Sequence, residues 1–114
     1  MYTDQELDEI AQDHVRGAYG QRVVAEPQCD VEDPPGRYFS LEIGTAKDHH
    51  GLRGEGIVGH AGLFVDRRSG EITHFDPGHC MAATKKLKET RGTIDWERDR
   101  PALVRYMYIE ARGA

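Results

Sequence analysis

The segment Leu63-Phe64-Val65-Asp66-Arg67-Arg68-Ser69-Gly70-Glu71-Ile72 constrains this chain most. Apolar runs flank a polar four-residue stretch that ends in glycine. Such a stretch closes an antiparallel hairpin, with Gly70 supplying the positive φ that the turn needs. In that register Asp66 lies opposite Glu71 and Val65 opposite Ile72, so Ala61, Leu63, Val65 and Ile72 share one face. A hairpin with one apolar face belongs to an antiparallel sheet that something apolar must cover.

The cover is written at the N-terminus. Thr3-x-x-Glu6 is a capping box, in which the hydroxyl and the carboxylate each satisfy a backbone amide. Leu7, Ile10, Ala11, His14, Val15 and Ala18 then recur at helical spacing. Asp4, Glu6, Asp8 and Glu9 suit the positive end of the helix dipole. The spacing predicts a helix over residues 4–18.

Strands are expected at 22–25, at 37–43, where Phe39, Leu41 and Ile43 alternate with polar neighbours, and at 57–66 and 71–75. Glu26 to Gly36, with Pro27, Pro34 and Pro35, reads as a loop. Gly44 to Gly56, around Lys47-Asp48-His49-His50-Gly51, reads as another. Asp76-Pro77-Gly78 ends the sheet, and Met81 to Thr90 forms a short helix carrying Lys85, Lys86 and Lys88. Ala102 to Glu110 is apolar on both sides and reads as a last, central strand. The expected fold is one α+β domain over residues 1–114. An N-terminal helix packs on a four- to five-stranded antiparallel sheet, with a short helix before the last strand.

Charge and composition narrow the function. No apolar run is long enough for a transmembrane helix. The opening Met1-Tyr2-Thr3-Asp4 is polar and acidic where a signal peptide is basic and then apolar. Two cysteines do not make a disulfide scaffold, so the expected setting is the cytoplasm, with no membrane contact. The net charge of −5 speaks against nucleic acid as a partner. Residues 1–57 hold twelve acids and five bases, whereas residues 58–114 hold eight acids and ten bases. That asymmetry suits an acidic face made for a basic protein partner. The acids concentrate at Glu26, Asp30, Glu32 and Asp33, the candidate partner-binding residues, in a segment stiffened by Pro34-Pro35. Neutralising Asp30, Glu32 and Asp33 in such a loop is expected to change stability by only about 0.5 kcal/mol.

Six histidines, His14, His49, His50, His60, His74 and His79, stand beside Cys29 and Cys80. Their spacings match no metal-ligand pattern, so neither metal nor cofactor is expected. Gly59-His60-Ala61-Gly62-Leu63-Phe64-Val65, followed by Thr73-His74-Phe75, resembles a local signature of papain-like enzymes of the NlpC/P60 and lecithin:retinol acyltransferase kind. The resemblance implies a hydrolase or acyltransferase with His60 as base, His74 as its orienter, and Cys29 or Cys80 as nucleophile.

A second resemblance spans about residues 4–90. The order of helix, Arg37-Tyr38-Phe39-Ser40-Leu41-Glu42 strand, Gly-rich loop and Val65-Asp66-Arg67-Arg68-Ser69-Gly70-Glu71 hairpin is similar to the small YrhB-type or immunity-protein-35-like domains. It implies a bacterial immunity-type protein that neutralises a toxin by binding, without catalysis. Binding through the acidic segment is the leading expectation, and the papain-like enzyme is the alternative.

Overall fold

The computed structural model describes residues 1–43, 55–56 and 61–113. The chain runs α1 (Asp4–Tyr19), β1 (Val23–Glu32), β2 (Pro35–Ile43), β3 (Glu55–Gly56), β4 (Gly62–Asp66), β5 (Ile72–Phe75), α2 (Pro77–Arg91) and α3 (Trp96–Arg112). Four strands form an antiparallel ladder in the order β1-β2-β4-β5, and the two-residue β3 pairs with the end of β2. The α+β class and the N-terminal helix on the sheet agree with the sequence reading.

Helix α1 begins where the capping box places it. The Glu6 amide donates to the Thr3 hydroxyl at 3.2 Å, and the Thr3 amide donates to the Glu6 carboxylate at 2.9 Å. Leu7, Ala11 and Val15 are buried against Val23, Ala25, Phe39, Leu41, Leu63 and Val65. The hairpin also keeps its expected register, with Val65 opposite Ile72 and Gly70 at φ 74°.

The opposite face of the sheet carries a second core, which the sequence reading did not anticipate as a separate layer. Val31, Phe64 and Phe75 pack there against Ala83 and Leu87 of α2 and Leu103, Val104 and Met107 of α3. The sheet is thus sandwiched between α1 and the α2–α3 pair.

Four expectations need correction. Residues 102–110 are not a strand but most of α3. Asp99, Leu103, Val104 and Met107 are buried, and their spacing of four, one and three residues is one helical face. Asp95 caps that helix by accepting from the amides of Glu97 and Arg98. Pro101 lies inside it and forgoes one helical hydrogen bond. Helix α2 likewise starts earlier than Met81, at Pro77, because Asp76 is its N-cap and proline suits the first helical position.

The third correction concerns Glu26 to Gly36, which is not a loop. It is the outer half of a long β1–β2 hairpin, paired to Glu32↔Pro35. Pro27 sits on an edge strand, where its missing amide breaks no ladder bond that the sheet needs. Gly36 permits the close pairing of β2 with β4 opposite Asp66, since a Cβ there would collide with the Phe64 ring and the Val65 carbonyl.

Ala61 also leaves the face assigned to it and packs on the α2–α3 side. Gly62, at φ 112°, breaks the alternation, and a Cβ there would lie 2.6 Å from the Phe39 carbonyl oxygen. His60, His49, His50 and the expected strand at 57–60 lie outside the described residues. Among those described, no helix is long and apolar enough to cross a membrane.

Candidate functional site

A bulge decides where the acidic residues point. Pro27 pairs with Phe39 but Cys29 with Tyr38, so Gln28 is an extra residue in β1. Before the bulge, Val23 and Ala25 face α1; after it, Val31 faces α2 and α3. Asp30, even-numbered and past the bulge, is therefore turned to the α1 side, opposite Arg37.

There Asp30 is an anchor within the fold. Arg37 Nε donates to Asp30 at 2.8 Å, Nη1 to Asp8 at 2.9 Å, and Nη2 pairs with Asp4 at 2.9 Å. Arg67 Nη2 meets Asp4 at 2.7 Å, and Nη1 donates to the Tyr2 carbonyl at 3.0 Å. Two arginines thus tie the start of α1 to the sheet and the β4–β5 turn. Arg67, foremost, holds the Asp4 carboxyl below its usual range. The expectation that Asp30 can be neutralised at little structural cost does not fit this network.

Glu26, Glu32 and Asp33 are exposed. Asp33, at the hairpin end, is 84% exposed and 3.9 Å from Arg105. A cleft of about 480 Å³ lies beside it, with residues 30–33 on one wall and Arg91, Pro101, Ala102, Arg105 and Tyr106 on the other. Arg105 and Tyr106 are not among the site residues expected from the sequence, because reading 102–110 as a strand separates two side chains that share one helical wall, and Arg91 of α2 carries no sequence signal for the cleft. The i, i+3 and i+4 spacing of Ala102, Arg105 and Tyr106 was the available signal.

The cysteines and His74 lie on opposite faces of the sheet. Cys29 and Cys80 pack with Tyr38 on the α2–α3 side. His74 pairs with Leu63 in the ladder and meets His14 of α1, Nε2 to Nε2, at 2.8 Å. One imidazole of that pair donates and the other accepts. Burial first, and then His14, push the His74 pKa down. His79 is occupied at the start of α2, where its Nδ1 accepts from the Asp76 amide at 3.0 Å.

Burial pushes the Cys29 thiol up to about 11, with Asp30 adding to the effect. Tyr38, also raised by burial, reaches about 12. Cys29 is consequently a protonated thiol at neutral pH, and the thiolate is the nucleophilic form. In a Cys80→Ser variant at pH 7.5, iodoacetamide should modify Cys29 roughly a hundredfold more slowly than a free cysteine. The rate should climb with pH until about 11. A plateau near pH 7 would contradict this assignment.

Among the described residues, no three His, Cys, Asp or Glu side chains converge as a metal site requires. Comparison with family models, with curated proteins and with solved structures finds no match for this chain.

Proposed function

We propose that this chain is a binding protein without catalytic activity, of the bacterial immunity type. In this reading it neutralises a basic partner, a toxin domain, in the cytoplasm through the exposed carboxylates of the β1–β2 hairpin, Glu32 and Asp33 at its end and Glu26 further along β1. The observation that carries the reading is the exposure of Glu26, Glu32 and Asp33 on a strand pair zipped to its tip. Carboxylates held on a paired hairpin lose little freedom on binding, which lowers the entropic cost of association. Their charge also steers a cationic partner into encounter. Asp30 supports the hairpin from within by holding Arg37.

The papain-like alternative draws less support. Its proposed orienter, His74, is paired with His14 across the sheet from both cysteines, and Cys29 resists ionisation.

The test separates recognition from folding. Immobilised protein at low salt should retain a basic protein from a lysate of the source organism, and rising salt should release it. The triple variant Glu26→Gln, Glu32→Gln, Asp33→Asn should keep its melting temperature and lose that protein. Asp30→Asn should instead lower the melting temperature, because it leaves Arg37 short of an acceptor. Retention undiminished in the triple variant would overturn the reading. So would activity that vanishes with Cys29→Ser or Cys80→Ser while the triple variant keeps it.

A further inference from the structure

Helix α2 buries Ala83 and Leu87 and turns another side to an open cleft of about 660 Å³. Ala61, Pro77, Cys80, Met81 and Thr84 form its walls, with Lys85 and Lys88 at the edge. Its size falls within the range of small-molecule sites. The walls are apolar in effect. Thr84 uses its hydroxyl to donate to the Cys80 carbonyl at 2.7 Å, which leaves its methyl for the cleft. Met81 is 72% exposed, an unusual position for a flexible thioether that adapts to apolar shapes.

The cations at the edge are uncommitted. The side chains of Lys85 and Lys88 make no ion pair or hydrogen bond with any described residue, whereas the Lys86 ammonium between them lies over the Tyr106 ring at 5.8 Å. In a chain of net charge −5, residues 77–91 hold Lys85, Lys86, Lys88 and Arg91 against Glu89 alone. An apolar slot bordered by two unpaired ammonium groups complements a molecule with an apolar body and an anionic head.

We propose that the α2 cleft binds a small amphiphilic carboxylate, its chain along Ala61, Cys80 and Met81 and its head group between Lys85 and Lys88. The proposal is independent of the acidic hairpin, which lies elsewhere on the molecule. Lysine suits the task as a mobile point charge that meets an anion without fixed geometry.

Cys80 reports occupancy from inside the cleft. The full chain is labelled with a maleimide, each cysteine being read by peptide mass spectrometry. Decanoate, decanol or decyltrimethylammonium is added below its micelle concentration. Decanoate should slow Cys80 labelling at least fivefold, with Cys29 unchanged. Decanol should need about tenfold more, and the cationic chain should protect least. The variant Lys85→Glu, Lys88→Glu changes two exposed side chains and should reverse the order, favouring the cation. Equal protection by all three chains, or none, overturns the proposal. So does Cys80 protection that rises with protein concentration alone, because a second copy then covers the cleft.

Discussion

Phe64→Ala is expected to lower the unfolding free energy by about 3–5 kcal/mol, and Leu63→Ala by about 2–5 kcal/mol. The two are neighbours on β4, and each is 0% exposed, but they serve different cores. Leu63 packs with Leu7, Val15 and Phe39 under α1. Phe64 packs with Leu87, Val104 and Met107, and its ring meets the edge of Tyr108 at a centroid distance of 5.3 Å. A domain of this size has roughly 5–15 kcal/mol of stability in total, so either change removes a large part of it. Urea titrations followed by far-ultraviolet dichroism and by Trp96 fluorescence check both. If the three layers unfold together, each variant shifts the two signals alike. Should Phe64→Ala move the Trp96 signal alone, the α2–α3 layer is a separate cooperative unit.

The sequence made the α1 side of this architecture readable and concealed the other. Thr3, Glu6 and the Leu7-Ala11-Val15 stripe signal a helix locally, and Asp66 to Glu71 signals a turn locally. Each signal lies within a few residues, where capping and turn chemistry act. The errors arose where one pattern fits two periods. Val104, Tyr106 and Tyr108 alternate as a strand would, yet Leu103, Val104 and Met107 also fall on one helical face. Pro101 does not interrupt that helix, because the Asp95 cap and the packing of Tyr108 on Phe64 sustain it. The prolines of Glu26 to Gly36 pointed to a loop where the chain forms a hairpin. An edge strand and a hairpin end accommodate what a central strand refuses. The bulge at Gln28 had no sequence signal, and it decides that Asp30 is an internal partner of Arg37. Hence the identity of the acidic residues was legible, whereas their division into one anchor and three exposed carboxylates was not.

Asp99 is the charged side chain that the fold buries among the described residues, and removal of its charge should show as a change in acid stability. Its side chain is fully enclosed at the start of α3. Its Oδ2 accepts from the Asp95 amide at 3.0 Å and from Arg98 Nη2 at 3.0 Å. Its Oδ1 accepts from Arg98 Nε at 3.1 Å and from Arg91 at the end of α2. One carboxylate therefore closes the α3 cap and joins α3 to α2. Arg98 first, and then the Asp95 amide, lower its pKa to about 2. An unfolded aspartate titrates near 3.9, so the folded state favours the ionised form. The resulting stability is complete above about pH 4 and disappears as the pH falls towards about 2. Asp99→Asn keeps the shape but cannot hold two guanidinium groups by charge, and Asp99→Ala also removes the acceptor that the Asp95 amide uses at the start of α3. Both should melt at lower temperature than wild type at pH 7, the alanine variant lower than the asparagine. Wild type should then converge on Asp99→Asn as the pH drops from 4 to 2, because protonation removes in one what substitution removed in the other. Other carboxylates titrate equally in both proteins, so the difference between the two melting curves isolates Asp99. A difference that stays constant down to pH 2 would show that packing, and not charge, is what Asp99 supplies.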